Sequence, residues 1–189
     1  MKRRAAPRRA VFLDRDGVIV KEKDYLRDPS QIAVLAGAPR AMADLRAAGF
    51  KVIVVTNQSG VARGYFTLAA LGRIHRELKR LLARKGAKWD ALYFSPHAAD
   101  SAHPWRKPGI GMLEAAKKRF RLDLKASYFV GDTTTDVKTA LNAGCASILV
   151  RTGHAGRDGK HPGAKPDKVC RNLAAAARWI LSRPSQKSL

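Results

Sequence analysis

A short apolar run, Val11-Phe12-Leu13, ends in two carboxylates, Asp14 and Asp16, and then in Gly17. Such a run, bounded by a turn residue, is typical of a buried strand, and residues i and i+2 of a strand point to the same side. Two acids that leave a buried strand together repel each other, so we expect a cation between them. Mg²⁺, a hard ion that prefers oxygen ligands, fits the pair best. The competing interpretation is a solvated loop with two incidental acids.

The rest of the chain alternates apolar, β-branched runs with helical segments. We predict strands at 10–14, 51–56, 89–94, 127–130 and 146–150, and helices that end near 48, 85, 120, 143 and 181. Strands that alternate with helices predict an α/β fold of Rossmann-like type, with a parallel sheet of five or more strands between helices. We expect one domain over 1–189, a flap at 17–36, a loop at 151–168, and disorder in a basic arm at 1–9 and a tail at 182–189. His75 lies near the apolar face of the second helix and is expected to be a packed or surface histidine.

Polar side chains follow three of the predicted strands: Asp14 and Asp16 the first, Thr56 the second, and Asp132 and Asp136 the fourth. Ligands of open α/β sheets bind beyond the carboxyl ends of the strands. If these three strands are neighbours, the five side chains face one crevice. A phosphate would find there a metal, a hydroxyl donor and backbone N–H groups.

Lys107 adds the fixed positive charge that phosphoryl transfer needs, because the transferred group carries negative charge on its equatorial oxygens. In this arrangement Asp14 would attack phosphorus and form an aspartyl-phosphate. Asp16 would protonate the leaving oxygen and then deprotonate the attacking water. Alone, Lys107 could be a surface lysine, and Asp132 and Asp136 could be acids that favour a helix N-terminus.

At these residues the chain resembles the haloacid dehalogenase (HAD) superfamily of phosphohydrolases, over about residues 10–150. The resemblance implies that Asp14 is the nucleophile and Asp16 the acid and base. It also implies that Mg²⁺ is held by Asp14, the Asp16 backbone carbonyl and Asp132, with Asp136 as a further ligand or as a partner of one. No insertion between the motifs is long enough for a large cap domain.

Three longer strings are similar to the D-glycero-D-manno-heptose 1,7-bisphosphate phosphatase family of the histidinol-phosphatase group: residues 14–19, 56–64 and 106–112. That family makes a precursor of the heptose in bacterial lipopolysaccharide. The resemblance places the following residues near the sugar or its second phosphate: Glu22, Tyr25, Asn57, Gln58, Ser59, Arg106 and Thr133. An arginine beside a lysine suits this role, since arginine can grip a phosphate with two N–H groups.

The chain departs from this family at a zinc loop, where the family has Cys-x-His before the Arg-Lys-Pro string and Cys-x-Cys next to it. Here the positions read Ser95-Pro96-His97 and His103-Pro104-Trp105. Two histidines without a thiolate make a poor structural zinc site. We predict that zinc is absent and that packing of Trp105 and the prolines holds the loop. In the alternative, Asp100 is a third zinc ligand. The chain also has threonine at 133, where the family often has lysine, and this leaves the preferred anomer of the substrate open.

The chain carries 37 Lys and Arg residues against 15 Asp and Glu, a net charge of +22. This field attracts anionic small molecules and nucleic acids alike. Three alternatives to the sugar phosphatase therefore stay open: a histidinol-phosphate phosphatase, a nucleic-acid 3′-phosphatase, and a non-catalytic basic module that binds polyanions. We expect a phosphorylated small-molecule substrate; nucleic acid is possible but not favoured as a partner.

No apolar segment approaches the roughly 18 residues of a membrane span, and the apolar stretch after the basic N-terminus is too short for a signal peptide. The two cysteines, Cys145 and Cys170, form no metal-binding pair and fit a reducing compartment. We therefore expect a cytoplasmic protein, acting as a monomer and without a membrane partner.

Overall fold

Six short apolar segments form strands within residues 8–183, the part of the chain that the computed structural model describes. They are β1 (Ala10–Leu13), β2 (Lys51–Asn57), β3 (Ala91–Ser95), β4 (Tyr128–Gly131), β5 (Ala146–Val150) and β6 (Lys168–Cys170). All neighbours pair in parallel, in the order β3-β2-β1-β4-β5-β6. The single α/β domain is confirmed. The sequence analysis missed β6, because three residues, two of them exposed, are too few to show a strand pattern.

Five α-helices connect and cover these strands: α1 (Ala38–Ala47), α2 (Leu68–Arg84), α3 (Gly111–Phe120), α4 (Thr134–Ala143) and α5 (Leu173–Ser182). One short 3₁₀ turn, Pro29–Gln31, lies in the predicted flap. The ends of α2 and α4 follow local rules, since Thr67 caps the start of α2 and Gly144, with a φ of 71°, ends α4. None of the helices between residues 8 and 183 is long and apolar enough to cross a membrane.

Successive residues of β1 serve two separate apolar cores, one on each face of the sheet. Val11 and Leu13 pack with α1, α5 and the end of α2. Ala10 and Phe12 pack with α3 and α4 on the opposite face. A strand buried on both faces is apolar at every position rather than at every second one, which explains why this run carries no alternation until Asp14.

The position of β1 in the middle of the sheet brings the predicted site together. Leu13 pairs with Val54 of β2 on one side and with Val130 of β4 on the other. Asp14 then donates its backbone N–H to the Val130 carbonyl, at 3.0 Å. The carboxyl ends of these three strands are therefore level, as the sequence analysis required.

The predicted terminal segments fall only partly on described residues. Arg8 differs from the expected disordered arm: its N–H donates to Arg121 O at 3.2 Å, and its carbonyl accepts from Asp123 N–H at 2.9 Å. At the other end, α5 continues through the first residue of the predicted tail. Residues 1–7 and 184–189 lie outside the described part of the chain.

Replacing Thr67 tests the cap that fixes the start of α2. The Thr67 hydroxyl accepts a hydrogen bond from Ala70 N–H at 3.1 Å. We expect Thr67→Ala to lower the free energy of unfolding by about 1 kcal/mol, since the N–H loses its acceptor. Urea unfolding measures this, with Thr67→Ser as the control that keeps the hydroxyl. Equal losses in both variants would contradict the capping role.

Candidate active site

Asp14 and Lys107 form a buried ion pair at the carboxyl end of β1. The Lys107 ammonium lies 2.9 Å from Asp14 Oδ2 and 2.6 Å from Asp136 Oδ1. Lys107 is only 4% exposed and Asp14 8%, so little solvent screens these charges. One cation therefore bridges the acid that follows β1 and an acid in the first turn of α4. The role of Lys107 toward a phosphoryl group stays a prediction.

Asp14, Asp132 and Asp136 form a cluster that could hold a metal ion. One carboxylate oxygen from each lies within 4.8 Å of the other two. Oxygen donors of this kind suit Mg²⁺. Asp136 Oδ2 also accepts hydrogen bonds from the backbone and the hydroxyl of Thr133. Asp136 is thus tied to Lys107 and to the start of α4.

Two glycines allow the chain to close around the Asp132 carboxylate. A Cβ atom on Gly17 would lie 2.4 Å from Asp132 Oδ2, and one on Gly153 would lie 2.3 Å from it. Both glycines also have a positive φ, near 71°, which other residues rarely adopt. The backbone of His154 adds an N–H donor to the same oxygen, at 2.7 Å. The acid is therefore held in a fitted cradle.

Burial and mutual repulsion raise the pKa values of several carboxyl groups in the site. Burial, only partly offset by Lys107, raises the pKa of Asp14 above its ordinary value. Burial and the neighbouring Asp136 and Asp14 raise the pKa of Asp132 in the same direction. Burial together with Asp16 and Asp14 raises the pKa of Glu22 to about 8. Burial alone would lower the pKa of Lys107, but the neighbouring Asp136 and Asp14 hold that pKa above its ordinary value. A divalent cation would relieve this repulsion.

Two side chains hold the Asp16 carboxylate. The guanidinium of Arg15 donates to both of its carboxylate oxygens, at 2.7–3.1 Å, and Gln58 Nε2 donates to Oδ2 at 3.0 Å. Asp16 also lines the same cavity as Asp14. Its carboxylate is thus positioned beside the predicted nucleophile.

Thr56 is buried at the end of β2, where its hydroxyl oxygen accepts from Gln58 Nε2 at 2.9 Å. A hydroxyl group has one proton to donate. Because Gln58 uses the oxygen as an acceptor, the Thr56 proton can be donated to a phosphate in the cavity. The catalytic role of Thr56 stays a prediction.

Comparison with known proteins identifies the family. The HAD-hydrolase-like family model matches residues 104–176. The chain is 42% identical to a D-glycero-D-manno-heptose-1,7-bisphosphate 7-phosphatase of Thermosynechococcus vestitus, over 92% of this chain and 96% of that protein. It is 40% identical to the D-glycero-β-D-manno-heptose-1,7-bisphosphate 7-phosphatase of Bordetella bronchiseptica, over 90% of this chain and 97% of the relative. The chain belongs to the HAD-like heptose-bisphosphate phosphatase family.

A solved structure from the family supports the same assignment. The B. bronchiseptica D,D-heptose 1,7-bisphosphate phosphatase, crystallised with magnesium and phosphate, superposes with a TM-score of 0.83 at 39% identity, over 92% of this chain and 98% of the other. This chain is therefore a phosphatase of the HAD superfamily, and the resemblance found in the sequence is confirmed.

The residues predicted to contact substrate in this HAD-like phosphatase all reach one cavity of about 360 Å³. They are Glu22, Tyr25, Asn57, Gln58, Ser59, Arg106 and Thr133. Tyr25 has a φ of 74° and packs edge-on against the Tyr65 ring, with centroids 4.7 Å apart. Their roles toward a substrate stay predictions.

Besides Gln58, three of these residues also make hydrogen bonds that shape the site. Asn57 exchanges two hydrogen bonds with the Lys107 backbone, at 3.0 and 3.1 Å. Thr133 caps α4 through Asp136. Arg106 donates to two backbone carbonyls of the loop after β3, at 3.1 and 3.2 Å. Part of their polar capacity therefore serves the fold rather than a ligand.

The loop after β5 contributes side chains that the sequence analysis did not assign to the site. His154, Asp158 and Lys160 line the cavity. Asp158 accepts from the backbone N–H and the hydroxyl of Thr134, at 2.6 and 2.9 Å, which fixes the loop to the start of α4. The sequence signal was weak, because this Gly- and Pro-rich stretch has no periodicity.

The loop that was compared with the family's zinc loop is held by ring packing and by hydrogen bonds. Trp105 packs edge-on against Tyr93 and remains 38% exposed, and the two hydrogen bonds of Arg106 to loop carbonyls hold the same loop. The rings of His97 and His103 stack with centroids 3.7 Å apart. Neither histidine belongs to a three-ligand cluster in the described range, so the donors do not fit a structural zinc ion. The predicted absence of zinc itself stays a prediction.

The pH dependence of stability tests the acid cluster. Without divalent cations, Glu22 has a native pKa near 8 against an ordinary 4.5, so the native state binds more protons between these values. Stability should therefore rise as the pH falls from 8.5 to 6, and Asp14 and Asp132 act in the same direction. We expect a difference on the order of 2 kcal/mol, since one pKa unit is about 1.4 kcal/mol and solvent screens part of it.

Urea unfolding in a chelator measures this difference at both pH values. The matched control is the double variant Glu22→Gln, Asp132→Asn, in which most of the dependence should vanish. Subtracting the pH dependence of the control removes the effect of the net positive charge, which lowers stability as the pH falls. An identical pH dependence in both proteins would refute the raised pKa values.

Proposed function

We propose that this protein hydrolyses D-glycero-D-manno-heptose 1,7-bisphosphate at its 7-phosphate, with Mg²⁺ and through an aspartyl-phosphate on Asp14. The observation that carries the proposal is the buried set in which Lys107 contacts both Asp14 and Asp136 while Asp132 lies beside them. The names of the 40–42% identical relatives supply the substrate.

The oxygen ligands and the glycine cradle around Asp132 fit Mg²⁺. Asp14 and Asp132 would hold the ion through carboxylate oxygens, and the Asp16 backbone carbonyl would add a third ligand. When bound, the ion screens the repulsion between the Asp14 carboxylate and the phosphate dianion. Asp136 stays close enough to be a ligand, and its contact with Lys107 keeps the lysine directed into the site.

The chain's own groups account for each bond change. Asp14 attacks phosphorus as the bond to the sugar oxygen breaks, and Asp16 gives its proton to that oxygen. Lys107 and the Thr56 hydroxyl stabilise the charge on the equatorial oxygens. Water then attacks the aspartyl-phosphate, Asp16 takes the water proton, and phosphate leaves with the Asp14 carboxylate restored.

The lining of the cavity suits a sugar that carries a second phosphate. Lys23, Arg106 and Lys160 line it and supply cations, and Ser59 and the half-buried Glu22 offer polar groups for hydroxyls. A cavity of about 360 Å³ is of the size that small-molecule sites have. These features support a bisphosphorylated sugar as substrate.

A substrate panel tests the choice among the phosphatase functions. Phosphate release would be measured with Mg²⁺ from the heptose 1,7-bisphosphate, histidinol phosphate and a 3′-phosphorylated oligonucleotide. We expect kcat/KM to be at least tenfold higher for the heptose ester, because histidinol phosphate lacks a second phosphate and the oligonucleotide is too large for a cavity of about 360 Å³; a tenfold ratio is about 1.4 kcal/mol. The net charge of +22 favours the oligonucleotide as the second candidate, and a higher kcat/KM on it would overturn the assignment.

Replacing the nucleophile separates catalysis from folding. Asp14→Asn should lower kcat by about 10³-fold or more, because the amide cannot form the phosphoryl-enzyme. The same change removes one buried acid, so the variant should unfold at a urea concentration equal to or above that of the wild type in a chelator. Retained turnover in this folded variant would exclude the covalent route.

A further inference from the structure

Arg15 lies between the two predicted catalytic acids, and its side chain is almost fully buried, with 1% exposed. The guanidinium group carries five N–H donors and accepts no hydrogen bond. On one edge it meets Asp16, and its Nη2 also donates to Gln58 Oε1 at 3.0 Å. The remaining nitrogen, Nη1, lies 3.2 Å from His75 Nε2 on α2.

The chemistry of this contact fixes the state of His75. Because arginine can only donate, His75 Nε2 must be the acceptor, and the imidazole is neutral with its proton on Nδ1. The ring also packs against Phe94, with centroids 5.6 Å apart. An apolar side chain could replace that packing, but it would leave the buried Nη1 without its acceptor.

We propose that His75 is a positioning residue, which holds the Arg15 guanidinium in the orientation that places the Asp16 carboxylate for proton transfer. His75 itself lies outside the residues that line the cavity and touches no reacting atom. It acts through a chain of hydrogen bonds: His75 accepts from Arg15, and Arg15 donates to both carboxylate oxygens of Asp16. Gln58 bonds to Arg15 and to Asp16. The inference rests on the proposed function, in which Asp16 is the acid and base.

Withdrawing the His75 acceptor frees one end of the guanidinium to turn toward another partner. One edge of the guanidinium, formed by Nε and Nη2, contacts both Asp16 carboxylate oxygens, so such a turn moves the carboxylate as well. Proton transfer needs the donor within hydrogen-bond reach of the leaving oxygen, and small misplacements cost large factors in rate. The expected defect is therefore in protonation of the leaving group, not in binding of phosphate.

The leaving-group dependence of kcat/KM is a readout that a purely structural role would not move. A p-nitrophenyl ester departs without protonation, whereas the ester of a primary alcohol needs an acid. The kcat/KM value covers the steps up to release of the leaving group. His75→Leu should lower kcat/KM at least tenfold more for glycerol 3-phosphate than for p-nitrophenyl phosphate. His75→Gln, whose amide oxygen can accept from Arg15, should restore most of the loss.

Three further variants make every outcome decisive. Asp16→Asn sets the largest leaving-group effect to expect, and Thr67→Ala destabilises α2 without touching Arg15, so it should affect both esters alike. His75→Asn, with a shorter side chain, replaces His75→Leu if the latter does not fold. Equal losses on both esters in the His75 variants would overturn the inference while leaving the proposed function intact. If Asp16→Asn lowered kcat/KM equally for the two esters, the proposed role of Asp16 would be wrong instead.

Discussion

Burial of several carboxylates around one lysine is the constraint on which the rest of this site depends. Lys107 lies within ion-pair distance of Asp14 and Asp136, and Asp132 approaches both acids without an ammonium partner of its own in the described range. One cation cannot neutralise three buried acids. The close approach of Gly17 and Gly153 leaves room for the Asp132 carboxylate, which accepts a hydrogen bond from the His154 backbone N–H. One oxygen each from Asp14, Asp132 and Asp136 lies close enough to the others to hold a cation.

The sheet topology makes that concentration of charge unavoidable. Parallel strands all end at the same edge, and β1 has β2 on one side and β4 on the other. Any polar residue that follows each of these strands must therefore meet the others. The loop after β5 then closes over the acids through Asp158 and His154. Apolar cores on both faces of the sheet hold the strands in register, so the acids cannot move apart to relieve their repulsion.

The sequence predicted the parts of the site that directly follow apolar runs, because a strand end marks where a side chain will lie. Asp14, Thr56 and Asp132 belong to this group. His75 could not be assigned, since its contact with Arg15 spans 60 positions and a histidine on a helix face has no local signature. Nor can residue type alone distinguish a group that binds substrate from one that bonds to the backbone, as Asn57 and Arg106 show. β6 was missed for a different reason, its length.

The raised pKa values and the catalytic scheme are two consequences of the same burial. A protonated Asp14 cannot attack phosphorus, and protonation is what burial favours when no other cation is near. In the proposed mechanism, a divalent ion held by Asp14 and Asp132 would compete with those protons and favour the ionised form of Asp14, the proposed nucleophile. The net charge of +22 fits the same proposal, since its field would attract phosphate dianions toward a centre whose own side chains are mostly acidic. In this proposal the buried acids serve the chemical step, and the basic residues elsewhere in the chain serve the capture of substrate.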